Sequence, residues 1–143
     1  MAKKVKAVVQ TGGMQLDWIA IGAAALVYMV LGFFWYSPKM FFPEWSKQMV
    51  VLSSGKMEWY TMLSMPVVAI LYSIGLSRMV VSMHFKGFLK GMLAGVIVAV
   101  FYLIMANSGK WLFANKPSLF WIDFGFQAVA GILMGGVLGK LHK

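Results

Sequence analysis

Stretches without charge recur along the chain at helical-span length. Trp18 to Pro38, Trp59 to Ser77 and Gly91 to Gly109 carry no charged residue, and Pro117 to Gly139 carries one, Asp123. A helix that crosses a bilayer needs about 20 largely apolar residues. A helix on the surface of a soluble bundle keeps a polar face. Here Ile19 to Phe34 is apolar or small all round except at Tyr28, and Val96 to Met105 is similar. The pattern predicts an all-α, integral membrane four-helix bundle in one domain, 1–143, with spans at about 17–37, 59–80, 88–107 and 118–139.

The segments between the spans are less uniform. Pro43 can open a helix at its first position, with Glu44 favourable near the positive helix end. Trp45, Met49 and Leu52 then recur at one face, while Glu44, Lys47 and Gln48 lie elsewhere. This predicts a short interfacial helix at about 43–52, lying on the leaflet. A lid folded over the mouth of the bundle would show the same pattern. Ser82 to Lys90 is short, which makes the second and third spans antiparallel neighbours. Pro66 removes a backbone hydrogen bond within span two, and Ser73 and Ser77 can bond back to carbonyls or across to another helix.

Small residues repeat every four positions in two spans: Gly87, Gly91, Gly95 and Ala99, then Gly131, Gly135 and Gly139. In lipid, apolar burial cannot drive helix pairing, and close backbone approach through such faces does so instead. Packing inside one bundle is favoured over a seam between copies.

Composition sharpens the membrane reading. Hydrophobic residues make up 61%, and charges are 13 Lys and Arg against 4 Asp and Glu. A soluble domain averages about 45–50% apolar and about 25% charged. There is no cysteine, which excludes disulfides, thiolate metal sites and thiol nucleophiles. The net charge of +9 is spread thinly between apolar runs and forms no nucleic-acid patch. The basic residues flank spans and set orientation. Lys3, Lys4, Lys6, Arg78, Lys86, Lys90, Lys140 and Lys143 fall on one side, against Lys39, Lys47, Lys56, Lys110 and Lys116. The positive-inside rule therefore places both termini in the cytoplasm. The basic start resembles a signal-peptide n-region, but the apolar run is too long and no A-x-A site follows. It is expected to stay as a signal-anchor helix. Trp35, Trp45, Trp59, Trp111 and Trp121 then fall on the outer side, and Trp18 on the inner. An aromatic belt heavier on one leaflet accounts for this, and so does an outer face built for contact.

Ionisable groups at membrane depth are the first place to look for chemistry. Asp123 lies about 9 Å into its helix, with Gln127 one turn deeper on the same face. Its partners must come from the outer side: Lys39, Lys110, Lys116, Tyr36, Asn107 or Asn115. An acid in the first turns of a helix is also favoured by the dipole and can anchor the preceding loop. Arg78 lies at the opposite interface and reaches for headgroups. His84 and His142 are the only histidines and are not at ligand spacing. No catalytic, metal or cofactor constellation emerges, and an enzyme is not expected. The candidate site is an outer cluster of Trp35, Tyr36, Pro38, Asp123, Gln127, Trp59, Trp111 and Trp121. The expected function is non-catalytic binding of membrane lipids or a protein partner, with a homo-oligomer possible and no nucleic acid. The alternative is a small oligomeric transporter or channel with the Asp123/Gln127 face lining its path.

The span ends carry a resemblance. Gly32-Phe33-Phe34-Trp35-Tyr36-Ser37-Pro38, with Phe41-Phe42 and Trp45, is similar to the first-span ending of a group of small, mostly bacterial membrane proteins, the domain of unknown function 1761 (DUF1761). Trp111-Leu112-Phe113, then Phe120-Trp121-Ile122-Asp123-Phe124-Gly125-Phe126 and Gly131, Gly135 and Gly136 resemble its second half. Pro43-Glu44 departs from the group's glycine-basic step. The resemblance implies four spans, a bacterial inner (plasma) membrane and no assigned activity. It singles out Trp35, Tyr36, Pro38 and Asp123 as the set to test.

Overall fold

The computed structural model describes residues 16–48 and 59–142, with side chains from residue 63 onward in the second half of the chain. Helices α1 (Trp18–Trp35), α2 (Phe42–Gln48), α3 (Trp59–Ser82), α4 (Phe88–Val98), α5 (Ile104–Leu112) and α6 (Pro117–Leu141) follow in order. A π-helical turn, Ala99–Leu103, joins α4 to α5, so Phe88–Leu112 is one continuous rod. Four rods are long and apolar enough to cross a membrane, and no strand occurs among the described residues. Of the short helix expected at 43–52, residues 49–52 lie outside the described residues.

Local chemistry sets the helix ends. Asp17 caps α1, its Oδ1 accepting from the backbone N–H of Ile19 at 3.1 Å and of Ala20 at 3.0 Å. Pro117 starts α6 at a position where its missing N–H has no helical partner to lose. After α1 the chain turns back on itself, with the Met40 N–H donating to the Ser37 carbonyl at 3.0 Å and the Phe41 N–H to the Trp35 carbonyl at 3.2 Å.

Helix α6 is the axis of the bundle: 56% of its span is buried, against 33% for α1 and 28% for each of the others. The closest pair is α4 on α6. A Cβ built on Gly91 would stand 2.1 Å from the Gly135 carbonyl oxygen, and one on Gly95 would stand 2.3 Å from that of Gly131. The Gly87 N–H donates to the Gly139 carbonyl at 2.7 Å, so the backbones themselves are in contact. The two glycine stripes therefore meet each other within one chain, where any side chain larger than hydrogen would hold the helices apart. On the other side of α6, Ile21, Ala24, Tyr28, Ala69, Leu76 and Val80 join Ala130, Met134 and Leu138 in one buried cluster. Ser73 returns its hydroxyl to the Ala69 carbonyl at 2.7 Å, which satisfies it without a partner helix.

The π turn corrects a register problem. Along this rod Gly91, Gly95, Ala99, Leu103 and Asn107 are buried at four-residue intervals, with Ala94 buried beside them. In a regular helix each four-residue step drifts by about 40°, so the run would leave the interface after two turns. One extra residue in a π turn takes back roughly 100°. Asn107 thereby stays buried against α6 instead of turning outward.

Outward faces are apolar throughout. Ile19 is 83% exposed, Phe33 77%, Leu89 77%, Met105 74% and Phe113 90%. In water such a surface would aggregate, whereas against acyl chains it is the matched one.

Candidate functional site

The sequence-predicted candidates gather at the end of the bundle where α1 stops and α6 begins, around Asp123. Its side chain is 13% exposed and accepts from groups on three other segments. Tyr36, just past α1, donates its hydroxyl to Oδ1 at 2.8 Å. Trp45 on α2 donates its indole N–H to the same oxygen at 3.0 Å. Lys110 on α5 pairs with Oδ2, and its ammonium also donates to the Asn107 side-chain oxygen at 2.9 Å. Asn107 in turn donates to the Leu103 carbonyl and to the Gln127 side-chain oxygen, both at 2.9 Å. The Gln127 carbonyl accepts from Tyr72 on α3 at 3.3 Å. The result is a polar chain running from α2 and the α1 end, through α6 and α5, to α3.

Its electrostatics follow from burial. An isolated carboxylate is strongly disfavoured at low dielectric, and here it faces an ammonium and two neutral donors. Burial pushes the Tyr36 hydroxyl well above its ordinary value of 10.0, and the charge of Asp123 with their hydrogen bond pushes it further. Tyr36 therefore stays a neutral donor. No buried side-chain nitrogen or oxygen lacks a partner among the described residues. Nor do three metal-ligating side chains converge there.

The aromatic candidates divide into two groups. Trp35 and Tyr36 face inward: the Trp35 indole donates to the Ile122 carbonyl at 3.2 Å and lies over Gly125, where a Cβ would stand 3.2 Å from its ring. Tyr36 packs on Trp45 and Phe126, each at 5.2 Å between ring centres. In the second group the two indoles face outward over a buried Phe120 and a half-buried Phe124. Trp111 on α5 meets Phe120 at 5.4 Å and Trp121 at 6.0 Å, and Phe120 stacks on Phe124 at 5.6 Å. Trp111 is 47% and Trp121 56% exposed. Pro38 is exposed in the turn after α1 and enters the site only by shaping that turn. Trp59 begins α3, and its side chain lies outside the described residues.

Three features escaped the sequence reading. Of the two placements the sequence left open for α2, on the leaflet or over the bundle mouth, Trp45 reaching Asp123 and Lys116 donating to the Gln48 carbonyl match the second, and the Trp45 contact itself was not foreseen. The i, i+4 pattern of α2 fits either placement, and only a polar partner for the indole N–H distinguishes them. The Asp17 cap had a readable signal, an aspartate directly before an apolar run. The π turn had none, because Ala99–Leu103 is an unbroken apolar run.

A bundle of four membrane-length helices, closed at one end by a buried polar knot and flanked there by indoles, defines a small helical membrane protein. Within that class the chain belongs to the family described as protein of unknown function, DUF1761, whose profile matches residues 19–139. No curated protein and no solved structure matches it.

Proposed function

We propose that this is a non-catalytic membrane protein that binds phospholipid through an outward aromatic platform of Trp111 and Trp121, backed by the buried Phe120 and the half-buried Phe124. The reading places it in the bacterial plasma membrane, with both termini cytoplasmic and the platform in the outer leaflet. One observation carries it: Trp111 and Trp121 come from different helices, meet ring to ring, and remain about half exposed. An indole has an apolar body and a polar N–H, which suits the boundary between acyl chains and headgroups. The Asp123 knot supports the platform by holding α5 to α6 through Lys110 and Asn107. A path along the Asp123/Gln127 face has less support, because Lys110 and Asn107 occupy that face and α4 offers only apolar or small side chains beyond it until Lys90.

The test compares the wild type with a Trp111→Ala, Trp121→Ala double variant in vesicles containing brominated phospholipid, together with native mass spectrometry of retained lipid. Both replaced side chains are exposed, so the fold is expected to persist. Loss of retained lipid supports the reading. A full lipid complement on the variant overturns it, and loss of a co-purifying protein in place of lipid would assign the platform to a protein partner instead.

A further inference from the structure

At the opposite end of the bundle, Val80, Val81, His84, Phe85, Lys86 and His142 line a recess of about 60 Å³. That is far below the roughly 300–1,000 Å³ of a pocket for a drug-sized ligand, and it suits a single small group. We propose that this recess binds a phosphate group of the kind an anionic lipid headgroup presents.

The recess is built rather than incidental. The Ser77 hydroxyl, itself 1% exposed, lies 2.7 Å from Nε2 of His142, which fixes the ring just past α6 and leaves Nδ1 as its other polar atom. Where the hydroxyl donates, Nδ1 carries the ring proton and is a donor. His84 adopts a left-handed backbone, φ 55°, uncommon outside glycine, and its carbonyl accepts from the Lys86 N–H at 2.9 Å. This tight turn sets one imidazole and one ammonium on the same rim. The floor is apolar, with Val80 2% exposed, so the polar contacts to a phosphate come from the His84, Lys86 and His142 side chains that line the recess.

Charge points the same way. Among the described residues this end carries Arg78, Lys86, Lys90 and Lys140 with both histidines, against one acid. That acid is Asp17, whose carboxylate caps α1. The N-terminus of α4 lies beside Lys86 with no side-chain cap, so its dipole adds to the positive field.

The test uses the full chain in zwitterionic detergent, titrated with short-chain phosphatidic acid, short-chain phosphatidylcholine and inorganic phosphate. The chain holds two histidines, so imidazole chemical shifts report His84 and His142 directly. Phosphatidic acid is expected to move both imidazoles and to bind about tenfold tighter than phosphatidylcholine, the equivalent of one charge-assisted hydrogen bond. Lys86→Gln should remove most of that preference. His84→Asn, which tolerates the left-handed turn, should weaken binding similarly, while Lys140→Gln stays within roughly twofold of wild type. Matching shifts with inorganic phosphate would assign recognition to the free anion, and shifts with the lipid alone would assign it to the headgroup in place. The proposal fails if phosphatidic acid shows no preference, if Lys86→Gln and His84→Asn both bind as wild type, or if Lys140→Gln weakens binding as much as Lys86→Gln. This outcome is independent of the aromatic platform, which lies at the other end of the bundle.

Discussion

Asp123 gathers more of the molecule than any other charged side chain described. Its two oxygens receive Tyr36, Trp45 and Lys110, and through Lys110 they reach Asn107 and Gln127. Removing one partner of a buried ion pair costs about 3–5 kcal/mol, because the remaining charge is stranded. Lys110 is a third exposed, so water screens part of that loss. Asp123→Asn keeps an acceptor for Tyr36 and Trp45 and removes the charge, and it should destabilise the fold by about 2 kcal/mol. Thermal unfolding in detergent should then show a midpoint lower by roughly 5 °C. An unchanged midpoint would mean that the knot does not anchor the mouth. The residue was legible in the sequence as the one acid within a span, and Tyr36, Lys110 and Asn107 were among its candidate partners. Trp45 was not, because a helical period of apolar residues says which face is apolar and nothing about what its indole N–H will meet.

At the scale of elements, the four apolar stretches and the glycine stripes were legible because lipid removes most alternatives: long uncharged runs become helices, and small residues mark close approach. The π turn was not, since a run of apolar residues in Ala99–Leu103 has no period of its own to read. Its effect is visible only in which residues face α6 beyond it. The stripes also permit a sharp contrast between glycines. Gly91→Ala would place a methyl 2.1 Å from the Gly135 carbonyl oxygen, and backbone cannot yield as a flexible side chain can. Such overpacking costs about 1–3 kcal/mol or more. Gly22→Ala, on α1, meets nothing within 4 Å and removes backbone entropy, so it should gain about 0.5–1 kcal/mol. Melting of the two variants in the same detergent should therefore move in opposite directions. A neutral Gly91→Ala would show that α4 and α6 separate readily in solution.

For the molecule as a whole, the distribution of charge decides which way the bundle faces. The knot and the platform occupy one end; the recess, Asp17 and the end of α6 occupy the other. The basic residues outnumber their counterparts on the terminal side, and this bias over short loops orients membrane proteins. The fold alone is indifferent to that choice, because an antiparallel bundle packs the same way up or inverted. The absence of native cysteine makes orientation directly measurable. Lys39→Cys and Lys86→Cys each replace an exposed residue, one at either end of the bundle. In intact cells, a membrane-impermeant maleimide should label Cys introduced at position 39 and spare the one at 86 until the membrane is opened. The reverse pattern would place the aromatic platform and the Asp123 knot in the cytoplasmic leaflet. Labelling of both positions in intact cells would mean that the chain inserts in both orientations, so that each leaflet receives both ends of the molecule.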